Sequence, residues 1–362
     1  MTIMQERLGK LLAAVTGARN ADSAPITILL HNSPDPDAIA SGVALRHLLE
    51  RKTGLAGRIV YRGVIGRAEN KALVQYLRAP LEELPEGAPI PAGPLALVDT
   101  QPGAGNSPLP AGAAPAIVID HHGNHDHHDN PEASLDSESC RFQIEASFSD
   151  VRPWIGATST ILTQYLRAAG LKPSRQLATA LLYGIKSDTK ALSRKADPAD
   201  VSAYFYLLPL VDAEALVGVE QAEVPAAYFK KLSMAIDAAC VYDGLVVSYM
   251  GFLDYPDLTA EVADLLLRLE GVRWAVCLGA YEDVLHFSVR VRQEELAATT
   301  LAEIIAGDLG SAGGHETAAG GQIPLLMEKP EVLVDQIRRR AIACLAGKGF
   351  QFNPEPVGRP LV

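Results

Sequence analysis

The strongest constraint on the fold is a rhythm in the first half of the chain, where short apolar runs alternate with stretches of helical spacing. Ile26 to Leu30 and Gly57 to Tyr61 read as buried strands. Leu95 to Val98 and Ala116 to Ile119 are two more short apolar runs, each following a loop rich in Pro, Gly and Ala. Asp37 to Lys52 and Ala68 to Leu77 carry the helical spacing. Runs that are apolar throughout belong to strands covered on both faces, as in parallel sheets flanked by helices. Thr158 to Ala169 and Gln176 to Lys186 then read as consecutive helices.

The second half differs. Leu245 to Tyr249, Trp274 to Leu278 and Leu285 to Val291 read as strands, and Val262 to Leu269, Thr300 to Ile305 and Val332 to Leu345 as helices. Asp212 to Ala239 is mostly helical and reads as a connection. A length of 362 residues suits two domains, or one large one. The expected class is α/β: a parallel-sheet, Rossmann-like N-terminal domain over 1–205, a helical linker over 206–239, a smaller mixed α/β C-terminal domain over 240–346, and an irregular tail over 347–362 holding Pro354, Pro356 and Pro360.

Charge and cysteine usage narrow the function. A net charge of −11 makes the chain a poor partner for long duplex nucleic acid, which is held by neutralising phosphates with Lys and Arg. A small anionic substrate stays open, because bound metal ions can supply local positive charge. Cys140, Cys240, Cys277 and Cys344 are widely spaced and form no C-x-x-C pair, which argues against a zinc ribbon or a disulfide framework. No apolar run reaches the ~18 residues of a membrane span. Met1 to Asn20 carries Glu6, Arg7, Lys10 and Arg19 among apolar residues and reads as an amphipathic helix, not a signal peptide. A cytoplasmic protein is the expectation, with no membrane partner and with a homodimer compatible.

The chemistry lies where the strands end. The first strand runs into His31 and then Asn-Ser-Pro-Asp-Pro-Asp through Asp37; the third runs into Asp99; the fourth runs into Asp120, His121 and His122. Ligands of open parallel sheets bind beyond the carboxyl ends of the strands, so these side chains are expected to share one crevice. Asp35 and Asp37 can equally cap the helix that follows them. Asp99 and Asp188 taken singly read as cap or turn residues. His125, His127 and His128 read as a solvated loop. As a set, four carboxylates with one or two imidazoles suit two divalent ions, Mn²⁺ or Mg²⁺ before thiolate-loving zinc. Two such ions can clamp the attacking and leaving oxygens of a phosphate ester.

In order along the chain, H-N-S-P-D-P-D-A-I-A-S, V-D-T, I-D-H-H and G-I-K-S-D-T resemble the four motifs of the DHH phosphoesterases. G-G-H-E-T-A-A-G at Gly313 to Gly320 is similar to the substrate-binding motif of the DHH-associated C-terminal domain. A first motif that begins with His resembles the nanoRNase/pAp-phosphatase branch more than the RecJ exonucleases. The resemblance implies His31, Asp35 and Asp99 as ligands of one metal, and Asp37, Asp99, His121 and Asp188 as ligands of the other. It implies that Asp120 orients a ligating imidazole and that His122 meets the scissile phosphate or the leaving oxygen. It implies substrate binding by Arg290, Gly313, Gly314 and His315. Gly123 departs from the pattern, since many relatives have Pro there.

The implied activity is metal-dependent hydrolysis of short RNA and linear dinucleotides to nucleoside monophosphates, with removal of the 3′-phosphate of pAp as a related reaction. A gap between two domains would select short substrates. A cyclic-dinucleotide phosphodiesterase would use the same ligands. An inorganic pyrophosphatase is expected to carry a basic S-R-K-K-Q-type motif in its C-terminal domain, whereas the S-R-K of this chain, Ser193 to Lys195, falls soon after Asp188. A non-catalytic nucleotide sensor would lack a ligand. Thr158 and Ser159 read as caps of the next helix, Arg292 as a weaker companion of Arg290, and Arg338, Arg339 and Arg340 as a solvated face.

Overall fold

The computed structural model describes residues 2–18, 25–55, 57–110, 112–123, 146–193, 196–292, 296–314, 316–325, 329–347 and 358–362. His125, His127, His128, Arg194, Lys195 and His315 lie outside the described residues. The chain forms two compact units, Met1–Ala222 and Glu223–Val362.

The first unit is built on a six-stranded sheet. Its strands are β1 (Thr27–Leu30), β2 (Arg58–Tyr61), β3 (Leu81–Glu83), β4 (Leu95–Val98), β5 (Ile117–Asp120) and β6 (Phe148–Val151). The spatial order is β3-β2-β1-β4-β5-β6, and every pair is parallel. All four residues of β1 and of β5 are buried, as strands covered on both faces must be. The sequence reading misses β3 and β6, the two edge strands. Leu-Glu-Glu and Phe-Ser-Asp-Val lack the continuous apolar run that marks the central strands.

Helix α1 (Ile3–Gly17) buries Leu8, Leu11, Ala14 and Val15. Helix α2 (Pro36–Thr53) starts on Asp35, whose carboxylate accepts the Ala38 N–H at 3.0 Å, with Pro36 in the first turn, and ends on Gly54 at φ 72°. This is the ordinary grammar of a helix start and stop. α3 (Ala68–Leu77), α4 (Thr158–Ala168) and α5 (Arg175–Asp188) follow, and α2 packs against both α4 and α5. That packing buries α2 nearly all round.

The 206–239 stretch is divided between the units and does not stand apart from them as a linker. α6 (Pro198–Leu207) packs on α4 and α5, and α7 (Ala213–Glu220) packs on α3 and α5 and puts Val219 into the first core. α8 (Ala226–Asp237) buries Ala235 in the second unit.

The second unit is a mixed sheet of β7 (Cys240–Tyr242), β8 (Leu245–Phe252), β9 (Trp274–Tyr281), β10 (Val284–Val291), β11 (Ser311–Gly314), β12 (Ala318–Pro324) and β13 (Arg359–Pro360). The order is β11-β12-β10-β9-β8-β7-β13, and only β8 and β9 run parallel. α10 (Ala298–Ala306) and α11 (Pro330–Gly347) share one apolar core with Val276, Leu278, Phe287 and Val289. α8 and α9 (Leu258–Leu266) share another with Val246, Met250, Ala275 and Cys277. The α/β class with a mixed second domain is therefore as expected. The 347–362 tail is not wholly irregular, because Arg359 and Pro360 pair with Val241 and Cys240. On α11, Arg338 and Arg339 bond Asp335, and Arg340 bonds Asp308. Among the described residues no single helix is long and apolar enough to cross a membrane.

A buried ion network ties the sheet edge to the helices. Asp150 on β6 accepts Arg152 Nε at 2.8 Å and Nη2 at 2.6 Å, together with Arg7 of α1 and the Tyr165 hydroxyl of α4. Burial pushes the Asp150 carboxyl up, and the hydrogen bonds and charge of Arg152, helped by Arg7 and Tyr165, hold it below the ordinary aspartate value. Its contribution is fully present above about pH 3.9 and is lost as the pH falls through the lower folded value. Removing the carboxylate strands a buried guanidinium. Asp150→Ala is therefore expected to lose about 3–5 kcal/mol at pH 7 in urea unfolding, and the difference from the unmodified chain should shrink below pH ~3.9.

Candidate metal centre

The strand order reverses between β1 and β4, which leave the central crevice where α/β sheets bind ligands. His31 follows β1, Asp99 follows β4, and Asp120, His121 and His122 end or follow β5. Asp35 and Asp37 come from the start of α2, and Asp188 from the end of α5. All the sequence-predicted residues of the first unit are thus brought to one place.

They fall into donor groups. His31 Nε2 lies 3.7 Å from Asp35 Oδ1 and 3.7 Å from Asp99 Oδ2. His121 Nε2 lies 3.3 Å from Asp188 Oδ2, 3.6 Å from Asp99 Oδ1 and 4.0 Å from Asp37 Oδ2. Asp99 faces both groups, one oxygen to each. A third grouping of Asp99, His121 and His122 is also close enough to hold an ion. Its His122 Nδ1, however, is already bonded to Asp120 Oδ1 at 2.8 Å, against 3.8 Å to Asp99.

Apart from the 3.3 Å between His121 and Asp188, these separations exceed hydrogen-bond lengths. They approach the spacing of neighbouring ligands around one ion, which is roughly 3 Å for an octahedron with bonds of about 2.1 Å. Asp99 Oδ2 and His121 Nε2 are buried and have no hydrogen-bond partner among the described residues. Buried polar atoms are rarely left so. Oxygen-rich donors with a minority of imidazole, aimed at common points, fit hard divalent cations.

The electrostatics agree. Burial, then the Asp99 and Asp188 charges, push the Asp37 carboxyl well up. Burial also raises Asp99, to about 6, against the pull of His122 and His121. His31 is raised to about 10, since Asp35 and Asp99 outweigh the desolvation that lowers it. His121 rises likewise, desolvation being overcome by Asp188, Asp99 and Asp37. At Asp35 the facing His31 and the Ala38 N–H outweigh desolvation and hold the carboxyl low. Carboxylates here draw protons onto imidazoles, which is the demand for positive charge that a bound cation meets.

The surrounding shell corrects several sequence readings. Thr158 and Ser159 do not cap α4 with their side chains. Their N–H groups donate to Asp37, at 2.6 Å to Oδ2 and 2.7 Å to Oδ1, so a carboxylate from α2 caps the helix. The Thr158 hydroxyl instead donates to Asp99 Oδ1 at 2.7 Å. The Asp35 oxygen that caps α2 also faces His31. Asp120 orients His122, not the imidazole facing the donor groups. Its Oδ1 also accepts the backbone N–H of His121 at 2.8 Å. His121 is set by Nδ1 against the Ile155 carbonyl at 3.2 Å, and His31 by Nδ1 against the Asn32 carbonyl at 2.9 Å. Each such bond turns Nε2 toward the carboxylates.

Gln101 escapes sequence reasoning entirely. Its amide donates to Asp120 Oδ2 at 2.7 Å and to the His122 carbonyl at 2.6 Å. Its place two residues after Asp99, in V-D-T-Q-P, is the only signal that could have found it. Asp99 itself sits at φ 61°, a left-handed conformation that Asp tolerates and that costs about 1–3 kcal/mol. At Gly123 a Cβ would fall 2.6 Å from Pro153 Cβ, so the loop has a proline opposite position 123 and glycine at it.

In the second unit, Arg290 lies on β10 with Nε 3.0 Å from Asp264 Oδ1 on α9. Arg292 Nη2 donates to the Leu267 carbonyl at 2.6 Å. Arg290 is half-buried, whereas Arg292 is exposed. In the glycine-rich motif Gly313 pairs with Gly320 and Gly314 with Ala319 across β11 and β12. Space is open beside Gly313, whereas a Cβ at Gly314 would meet Ala319 at 2.4 Å.

Fold and site together define a two-domain α/β protein with a cation-binding crevice at the switch point of its parallel sheet. The DHH family, N-terminal domain, matches residues 25–185, and the DHHA1 domain matches residues 243–344. The chain belongs to the DHH family and carries a C-terminal DHHA1 domain. An uncharacterized protein of Methanocaldococcus jannaschii is 37% identical over 304 residues, which cover 83% of this chain and 58% of that protein. The chain thus spans a little over half the length of this curated relative. An exopolyphosphatase-related protein from Bacteroides fragilis superposes with a TM-score of 0.66 at 14% identity, covering 96% of this chain and 100% of that one. RecJ from Thermus thermophilus, crystallised with Mg²⁺, gives 0.51 at 16% identity, covering 98% of this chain and 53% of that one. At these identities the two structures establish the shared fold.

Gly184 on α5 allows the helix its close approach to Asp37. A Cβ there would lie 2.5 Å from Ser159 Oγ and 3.0 Å from Asp37 Oδ1. Gly184→Ala should displace Asp37 and weaken Mn²⁺ binding by about tenfold or more in calorimetric titration. Unchanged affinity would show that the position of Asp37 does not govern cation binding.

Proposed function

We propose that this chain is a divalent-metal-dependent phosphodiesterase that hydrolyses short oligoribonucleotides and linear dinucleotides to nucleoside monophosphates, with pAp as a related substrate. The observation that carries the reading is the pair of donor groups sharing Asp99 across the two sides of its carboxylate. His31, Asp35 and Asp99 hold one cation, and Asp37, Asp99, His121 and Asp188 hold the other, Mn²⁺ or Mg²⁺. Such ions supply Lewis-acid polarisation of the phosphate and a nucleophilic water at neutral pH.

The chain's own groups do the rest. Asp120, itself braced by Gln101, fixes the ring of His122 beside Asp99. His122 contacts the scissile phosphate and passes a proton to the leaving oxygen. Thr158 and the α4 N-terminus hold Asp99 and Asp37 still while charge shifts in the crevice. In the second domain Arg290, held by Asp264, and Gly313, Gly314 and His315 bind the substrate, the arginine through paired hydrogen bonds. The net charge of −11 disfavours long polyanions and supports a short substrate.

The test is product chromatography with pApA, a five-residue RNA, pAp, cyclic di-AMP, cyclic di-GMP and pyrophosphate in parallel. Mn²⁺-dependent conversion of pApA to AMP is expected. Fast turnover of pyrophosphate alone, or of the cyclic dinucleotides alone, would overturn the assignment. Asp99→Ala and Asp188→Ala should each lower turnover by about a thousandfold or more; a variant that keeps most of its activity removes that residue from the centre. Arg290→Ala should chiefly raise KM, and unchanged kinetics would take Arg290 out of substrate binding.

A further inference from the structure

We propose that a small hollow walled by Trp154, beside the metal centre, holds a nucleobase of the substrate; the inference rests on the phosphodiesterase reading and adds a base site within the first unit. Trp154 is 54% exposed. Large aromatic side chains normally bury most of their surface, and a presented indole is a ready stacking surface. The turn that carries it is fixed at both ends to the metal centre. The Arg152 N–H donates to the Asp120 carbonyl at 2.9 Å, and the Ile155 N–H closes the turn on the Arg152 carbonyl at 3.0 Å. Pro153 packs on Gly123, one residue past His122. The Ile155 carbonyl meets His121 Nδ1 at 3.2 Å. Trp154 is therefore held on a rigid turn next to the two histidines.

The hollow beside it has a volume of about 150 Å³ and is lined among others by Trp154, Ile3, Met4, Arg7, Ile155 and Gln164. A cavity of roughly this size takes one planar aromatic ring. Its lining mixes apolar Ile3, Met4, Ile155 and Ala199 with polar Arg7, Arg152, Gln164 and Asp197, as small-ligand sites do. Ile155 lines the hollow and its carbonyl meets His121, so the hollow adjoins the turn that sets this imidazole. A flat ring between an indole and aliphatic side chains, with hydrogen-bonding groups at its edge, describes a nucleobase and not a sugar or a bare phosphate.

The two tryptophans make the test direct, because Trp274 is fully buried and Trp154 is not. Indole fluorescence and calorimetry are recorded while AMP or ribose 5-phosphate is added to the full chain and to Trp154→Phe and Trp154→Ala. AMP is expected to quench the unmodified protein, and ribose 5-phosphate is not. Trp154→Phe should lose the quench yet keep AMP affinity within about threefold, which also shows that the chain folds. Trp154→Ala should weaken AMP binding by about tenfold or more, as loss of one base stack does, and leave ribose 5-phosphate unaffected. A quench that survives in Trp154→Phe, or equal AMP affinity in Trp154→Ala, overturns the base site. Binding of AMP requires no turnover, so a chain that binds AMP through Trp154 but cleaves no phosphodiester contradicts the proposed function alone. Cleavage of pApA with KM unchanged in Trp154→Ala contradicts the hollow alone.

Discussion

Buried charge is the constraint on which the first unit depends. Asp37 and Asp99 are both fully buried, and an isolated carboxylate in a protein interior costs many kcal/mol unless something answers it. Peptide N–H groups of α4 answer Asp37, and the Thr158 hydroxyl answers one oxygen of Asp99. The other oxygen of Asp99 is left facing His31. The architecture around the crevice follows from this arrangement. α4 must point its N-terminus at α2, α5 must carry glycine at 184 to let the helices close, and the chain leaving β4 must accept a left-handed residue so that Asp99 turns inward. Together these features keep the carboxylates gathered, where a cation would answer their charge.

The same arrangement explains what the sequence could and could not disclose. Strand-end residues were readable because a parallel strand buried on both faces is a continuous apolar run, and the residue that breaks it marks the edge of the crevice. His31, Asp99 and Asp120 stand out in this way. Roles set by tertiary partners were not readable. Thr158 and Ser159 have the chemistry of helix caps, but Asp37, 121 and 122 residues away in the chain, reverses the roles by taking the cap position itself. Asp120 was recognisable as a positioning group, but which imidazole it holds depends on a side-chain rotation, and Ile155 had already taken His121. Gln101 had no local signature beyond its place two residues after Asp99.

In the second unit the pairing of β11 and β12 was hidden for a related reason. Glycine is a poor strand former, and Gly320 and Gly321 are held in β12 by pairing with β10, while Gly313 and Gly314 pair in turn with β12. The helices and the long strands β8, β9 and β10 carried enough apolar periodicity to be placed from sequence. Arg290 was visible as a charge in an apolar strand, and Asp264, which fixes its guanidinium, was not. An arginine held by a carboxylate loses less freedom when it meets a phosphate or a base, so the pair suits a preorganised contact.

Anomalous diffraction from crystals equilibrated with Mn²⁺ tests the central claim most directly. Two peaks are expected, one beside His31, Asp35 and Asp99 and the other beside Asp37, Asp99, His121 and Asp188, about 3.5–4 Å apart with Asp99 between them. A single peak, or two peaks that do not share Asp99, would contradict a centre built around that carboxylate.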